Sequence, residues 1–232
     1  RGLGDVYKRQ AFYGPPGIGK SMSVKQAAKM LALLMFTDVD LGGSVEAAKE
    51  AVAGGRYDRE LAEAYTESRE AASARPDVFH LLDIRASQLE PPDILGLPRE
   101  ERTPEGAITT FAPPVWLPQT PFGILFFDEL ALAREDVQHS MYQLVLDEVI
   151  SASGYELPGG WLIVSASNRP KDVPGMRPVL PPLANRFANY VVPGIDEQDV
   201  EEWLKWARAA RLHPAVIIYI ESKHRVRKSA SA

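Results

Sequence analysis

"GPPGIGKS", Gly14 to Ser21, decides how this chain is read. Gly14, Gly19, Lys20 and Ser21 hold the fixed places of the pattern G-x-x-x-x-G-K-[ST]; Pro15, Pro16, Gly17 and Ile18 fill the variable ones. Glycines at 14, 17 and 19 let the backbone turn tightly, so that its N–H groups can face an anion. A helix starting at the loop would add its partial positive charge. In such a loop Lys20 reaches the β- and γ-phosphates of a nucleotide, and the Ser21 hydroxyl takes a place on Mg²⁺. The alternative is a plain strand–turn–helix connection.

The flanks favour the phosphate reading. "AFY", Ala11 to Tyr13, is apolar and aromatic, as a short buried strand should be. "MSVKQAAKMLALLMF" follows Ser21 and is rich in good helix formers. Its expected apolar face is Met22, Ala27, Met30, Leu31, Leu34 and Met35.

"FGILFFDEL", Phe122 to Leu130, is the second informative stretch. An apolar run that ends in two carboxylates suits a central strand of a parallel sheet, covered by helices on both faces. Its C-terminal end lies where ligands bind in open α/β sheets. Asp128 is the expected Mg²⁺ carboxylate, and Glu129 the group that polarises a water aimed at the γ-phosphate. An apolar run followed by Asp-Glu is, by itself, more often structural; the phosphate loop upstream tips the balance.

Composition narrows the class. A formal charge of −5 argues against broad binding to nucleic acid backbones. With no cysteine, disulfide and thiol chemistry are excluded. The longest apolar run, "LALLMF", is too short to span a bilayer, so no membrane insertion is expected. No signal peptide is visible, and a cytoplasmic protein is the default expectation. Residues 1–10 lack a strand or helix period, and "DVYKRQ" resembles a tail that recurs on translated environmental reads. They are read as a non-native or disordered lead.

The remaining segments fall into place around these two. Residues 38–76 read as a polar helical insertion, with Ser44 as a helix cap, Gly54-Gly55 as a stop and Pro76 as the end. "VFHLLDI", Val78 to Ile84, reads as a buried strand. Pro and Gly from Glu90 to Pro121 read as loops with one hairpin around Glu105-Gly106. "REDVQHSMYQLVLDEVI" reads as a helix with Val137, Met141, Leu144 and Val145 inward, and His139 as a surface residue rather than a ligand. "SASGYEL" predicts a hairpin turning at Ser153-Gly154, and "WLIVSASN" a buried strand ending at Asn168. Asn168 either orients the attacking water or forms a turn before Arg169-Pro170. "LPPLANRF" reads as a short helix carrying Arg186, and "YVV" as the last strand. Two helical segments close the chain: "DEQDVEEWLKWARAA", with Val200, Trp203, Leu204 and Ala207 on one face, and "PAVIIYIES". "KHRVRK" reads as a solvated tail.

Taken in order, these pieces resemble an AAA+ ATPase of the MoxR-like, dynein-related type. "GPPGIGKS" is similar to Walker A, "ILFFDE" to Walker B, "SASN" to the sensor-1 strand and "LANRF" to the arginine-finger segment. "DIRASQLEPPDILGLP", "APPVWLP" and the hairpin near Gly154 resemble the same subgroup. The resemblance covers residues 11 to about 223. It implies a P-loop NTPase sandwich with a five-stranded parallel sheet in order 5-1-4-3-2, followed by a helical lid. That gives an ATPase core at 11–195 and the start of an incomplete lid at 196–232, without the usual sensor-2 arginine. ATP and Mg²⁺ are the implied ligands, with Glu129 and Asn168 catalytic and Arg186 acting on a neighbouring subunit's nucleotide. Implied partners are further copies in a ring, commonly a hexamer, a von Willebrand factor A-domain protein and a protein client that the ring remodels. Two other readings compete. A DNA-directed AAA+ NTPase, a helicase loader or McrB-like motor, fits the acidic balance poorly. A P-loop kinase would not need Asn168 and Arg186 in this order.

Overall fold

The strand Phe122–Asp128 shows why the sheet forms. Ile124 and Phe126 point into one apolar layer, and Leu125 and Phe127 into the other. Successive side chains of a strand face opposite ways, so a run that is apolar throughout needs cover on both sides. One layer contains Val24, Ala28 and Ala32 of helix α1, Lys20–Phe36. The other contains Val137, Met141, Leu144 and Val145. Phe126 and Phe127 have no exposed surface at all.

The computed structural model describes residues 9–36, 65–66, 79–104, 106–174, 176–194 and 197–230. Ten strands are found among them: β1 Arg9–Tyr13, β2 Tyr65–Thr66, β3 Phe79–Arg85, β4 Leu97–Thr103, β5 Gly106–Ala112, β6 Phe122–Asp128, β7 Val149–Ile150, β8 Tyr155–Glu156, β9 Gly160–Ser167 and β10 Ala188–Val191. Six form one sheet in the order β10-β1-β9-β6-β3-β2. All its pairings are parallel. The other four make two antiparallel hairpins, β4-β5 and β7-β8. The second turns through Gly154 at φ 67. This is an α/β fold with a parallel sheet, consistent with a P-loop NTPase-like fold.

Register places the site. Tyr13 lies beside Ser167, Asp128 beside Ala166, and Arg85 beside Asp128. The C-terminal ends of β1, β9, β6 and β3 therefore stop at nearly one level. The loops that leave them share one edge of the sheet, where ligands bind in such folds.

Several expectations need correction. A sixth strand joins the five that were expected. The extra one, Tyr65–Thr66, pairs with Phe79-His80 inside the segment read as helical. Tyr and Thr suit a strand, and the apolar edge of β3 outweighs local helix propensity. The rest of that insertion, with Ser44, Gly54, Gly55 and Pro76, lies outside the described residues. So do residues 1–8, whereas Arg9 and Gln10 belong to β1.

The buried face of α1 is Val24, Ala28 and Ala32, with Leu31 partly buried. Met22 and Met35 are exposed instead, and so is Ala27. The side chain of Leu34 lies outside the described residues. The C-terminal half of the helix, from Met30 on, is apolar throughout, so its sequence period does not choose a face; small alanines let it lie close to the sheet.

The expected helix after Glu129 is two six-residue helices, Glu135–Ser140 and Tyr142–Asp147, which abut at Met141. Glu148, at φ 62, ends the second. Its predicted inward residues are fully buried, and His139 is exposed against Tyr142.

The chain divides between Val192 and Pro193 into two compact units. The second holds helices Glu197–Ala209 and Pro214–Ala230. Among its described residues Leu204 and Ala207 are buried, while Val200 and Trp203 are partly covered. The last helix continues through "KHRVRK", which is therefore helical rather than a tail.

Candidate functional site

The loop from Gly14 to Gly19 leaves β1 and ends where α1 begins at Lys20. Gly17 and Gly19 sit at φ 77 and φ 88, where a side chain would be strained. Ser23 N donates to Gly19 O at 2.8 Å and starts the helical ladder. Lys20 Nζ donates to Gly14 O at 3.0 Å, Pro15 O at 2.8 Å and Asn168 Oδ1 at 2.8 Å. The ammonium thus closes the loop onto the end of β9. Desolvation pushes the Lys20 pKa below the usual lysine value, and the nearby carboxylates of Asp128 and Asp172 oppose that shift.

Asp128 ends β6 and faces the loop. Ser21 Oγ donates to Asp128 Oδ2 at 2.8 Å, and Glu129 N donates to Asp128 Oδ1 at 3.0 Å. Both carboxylate oxygens are thereby oriented. Glu129 has φ 57 and ψ 34, a left-handed conformation uncommon for a residue with a side chain. Two hydroxyls support this bend. Ser87 Oγ donates to Glu129 Oε2 at 2.9 Å, and Ala131 N donates to the buried Ser167 Oγ at 2.9 Å.

These groups line one cavity of about 440 Å³, with Lys20, Ser21, Asp128, Glu129, Asn168 and Met176 in its wall. That volume falls within the usual range for small-molecule sites, about 300–1,000 Å³. Loop backbone, an ammonium and two carboxylates meet in its wall, a combination that suits an anion bridged to a cation. Pro16, Gly17 and Gly19 also line it.

A cation can be tested against the donors present. Ser21 Oγ and Asp128 are hard oxygen donors 2.8 Å apart. Mg²⁺ takes few protein ligands and keeps waters and phosphate oxygens for the rest. Among the described residues no group of three or more His, Asp or Glu could cage a metal. The pair fits a Mg²⁺ shared with a phosphate.

Arg186 stands apart. It follows the short helix Pro181–Ala184, its N–H donates to Leu183 O at 3.0 Å, and it is exposed. It does not line the cavity of Lys20. Sequence reasoning missed Ser87, Ser167 and the Arg169–Asp172 pair. Both serines lie in stretches that carry the resemblance, but their partners are distant in the chain; only the aligned strand ends bring them to the site.

No family model and no curated protein matches the chain. A solved structure that is similar is a "putative ATPase" from Cytophaga hutchinsonii ATCC 33406, 15% identical, with a TM-score of 0.41. The match covers 87% of this chain and 47% of that one, so this chain spans about half its length.

Proposed function

We propose that this chain binds ATP with Mg²⁺ and hydrolyses it. The observation that carries the reading is the hydrogen bond from Ser21 Oγ to Asp128 Oδ2, 2.8 Å, at the mouth of a glycine loop closed by Lys20. It joins residues 107 positions apart into a hydroxyl–carboxylate pair beside an ammonium.

The residues divide the work. Backbone N–H groups of the Gly14–Gly19 loop hold phosphate oxygens. Lys20 exchanges its carbonyl and Asn168 partners for the β- and γ-phosphates. Ser21 and Asp128 would hold Mg²⁺, which when bound would supply positive charge against that developing on the phosphates. Asn168 orients a water, and Glu129 takes a proton from it. The water oxygen bonds to the γ-phosphorus, the bond to the β-phosphate oxygen breaks, and ADP leaves. Within this reading the chain is a MoxR-like AAA+ protein: 196–232 begins a lid, Arg186 serves a neighbour in a ring, and the ring remodels a protein client with a von Willebrand factor A-domain partner.

Phosphate release from ATP, with Mg²⁺ and with EDTA, tests the core of the reading. The rate alone, with DNA and with a protein lysate then separates the motor types. Mg²⁺-dependent turnover insensitive to DNA is expected. A protein that binds no ATP analogue refutes the reading.

A further inference from the structure

Arg186 stands outside the cavity, on a turn that is tied down at both ends. Its flanking residues Leu183 and Phe187 are buried in the same apolar layer as Val137 and Met141. At the entry, Leu180 N donates to Oε1 of the buried Gln138 at 2.9 Å, and Gln138 Nε2 donates to Ala133 O at 3.0 Å. At the exit, Asn189 Nδ2 donates to Ala184 O at 2.9 Å and to Phe187 O at 3.0 Å. One amide therefore bridges carbonyls on either side of Arg186. The guanidinium itself is exposed and has no hydrogen bond or ion pair among the described residues.

Strand pairing gives no reason for an asparagine at 189. The residue is exposed on β10, the edge strand of the described sheet, opposite Ala11 of β1. Asparagine is depleted in strands, where valine or threonine fits better. What asparagine does well is satisfy nearby backbone groups at turns, and here it satisfies two. Because β1 runs on to Gly14, the same contact fixes the Arg186 turn to the strand that feeds the phosphate loop. A long arginine side chain on a fixed backbone has less freedom to lose when it meets an anion.

We propose that Asn189 is a positioning residue for Arg186: by holding the carbonyls on either side, its amide fixes the direction in which the guanidinium leaves this subunit for a phosphate held by a second copy of the chain. The proposal rests on the reading of Arg186 as serving a neighbour. Asn189 touches no nucleotide in its own subunit, so its effect is confined to the subunit that supplies the arginine.

The test measures ATP turnover in mixed assemblies of the full chain. Lys20→Ala subunits supply an arginine but no loaded site; Arg186→Ala subunits supply a loaded site but no arginine. Turnover recovered on mixing therefore reports the arginine of the first kind alone. Asn189→Val added to the Lys20→Ala subunit is expected to lower the recovered turnover by about tenfold, within the range that a misplaced group costs. Added to the Arg186→Ala subunit, it should leave the recovered turnover within about twofold. The Tm of Asn189→Val should stay within about 3 °C of wild type, since valine suits the strand. Undiminished turnover with the substitution in the Lys20→Ala subunit overturns the proposal. So do equal losses in both arrangements, or a Tm that falls well beyond that range, which mark a merely structural contact. A wild type whose turnover per subunit does not rise with concentration, or a mixture of Lys20→Ala and Arg186→Ala that recovers none, removes the reading of Arg186 as serving a neighbour, and this proposal with it.

Discussion

The ammonium of Lys20 and the amide oxygen of Asn168 lie 2.8 Å apart, although 148 positions separate them in the chain. The contact ties the phosphate loop after β1 to the end of β9. Both residues line the same cavity.

Lys20→Ala is expected to abolish ATP binding. The substitution removes the ammonium from a partly desolvated position beside the loop. Titration with a fluorescent ATP analogue checks it; equal affinity in the two proteins contradicts the site.

Glu129→Gln should still bind ATP and hydrolyse it slowly. The amide keeps the shape and loses the ability to take a proton, which typically lowers the rate by about 10²–10⁴. Ser87→Ala, which removes the hydroxyl that holds Glu129 Oε2, should fall by a smaller factor. Single-turnover phosphate release measures both. If Glu129→Gln keeps wild-type turnover while Asp128→Asn is inactive, Glu129 is not the base.

Arg186→Ala should bind ATP normally and fail to hydrolyse it in a ring. Its guanidinium is exposed and outside the cavity of its own Lys20. Fingers of this type contribute about 10³–10⁵ in rate. Mixing Arg186→Ala with Lys20→Ala, in a protein carrying a full lid, should restore some ATPase activity. An Arg186→Ala subunit keeps an intact loop and borrows the finger of its neighbour. No recovery in a proven mixed ring removes the trans role.

Phe126→Ala should destabilise the fold by about 3–5 kcal/mol, the usual range for a buried phenylalanine. Phe126 is fully buried between α1 and the sheet. Urea unfolding gives the number, and a loss under about 1 kcal/mol contradicts this packing.

Asp172 supplies a pH prediction. Its hydrogen bonds from Arg169 hold its carboxyl below the ordinary value of 3.8; the charges of Arg169, Lys171 and Lys20 add to this. A carboxyl with a lowered folded pKa contributes stability that is complete above the unfolded pKa and lost as pH falls through the folded one. The Tm gap between wild type and Asp172→Asn should stay constant above about pH 5 and close below about pH 4. A gap that does not change with pH shows that the ion pair adds nothing to stability.

What the sequence determined on its own was local. The glycine pattern from Gly14 to Gly19 requires a loop, because Gly17 and Gly19 take backbone angles that disfavour side chains. The run from Phe122 to Phe127 requires cover on both faces, because alternate side chains point opposite ways. The hairpin through Gly154 also followed from its turn residues. Tertiary structure decided whatever depends on partners distant in the chain. It chose Val24, Ala28 and Ala32 as the inner face of a helix whose C-terminal half is apolar throughout, because small residues permit close approach to the sheet. It drew Tyr65–Thr66 into a strand, because an apolar edge was available to pair. It brought Ser87 to Glu129 and Ser167 to the amide of Ala131, contacts that no motif spells out. Those meetings come from the parallel register, which ends four strands at one level and lets short side chains reach across.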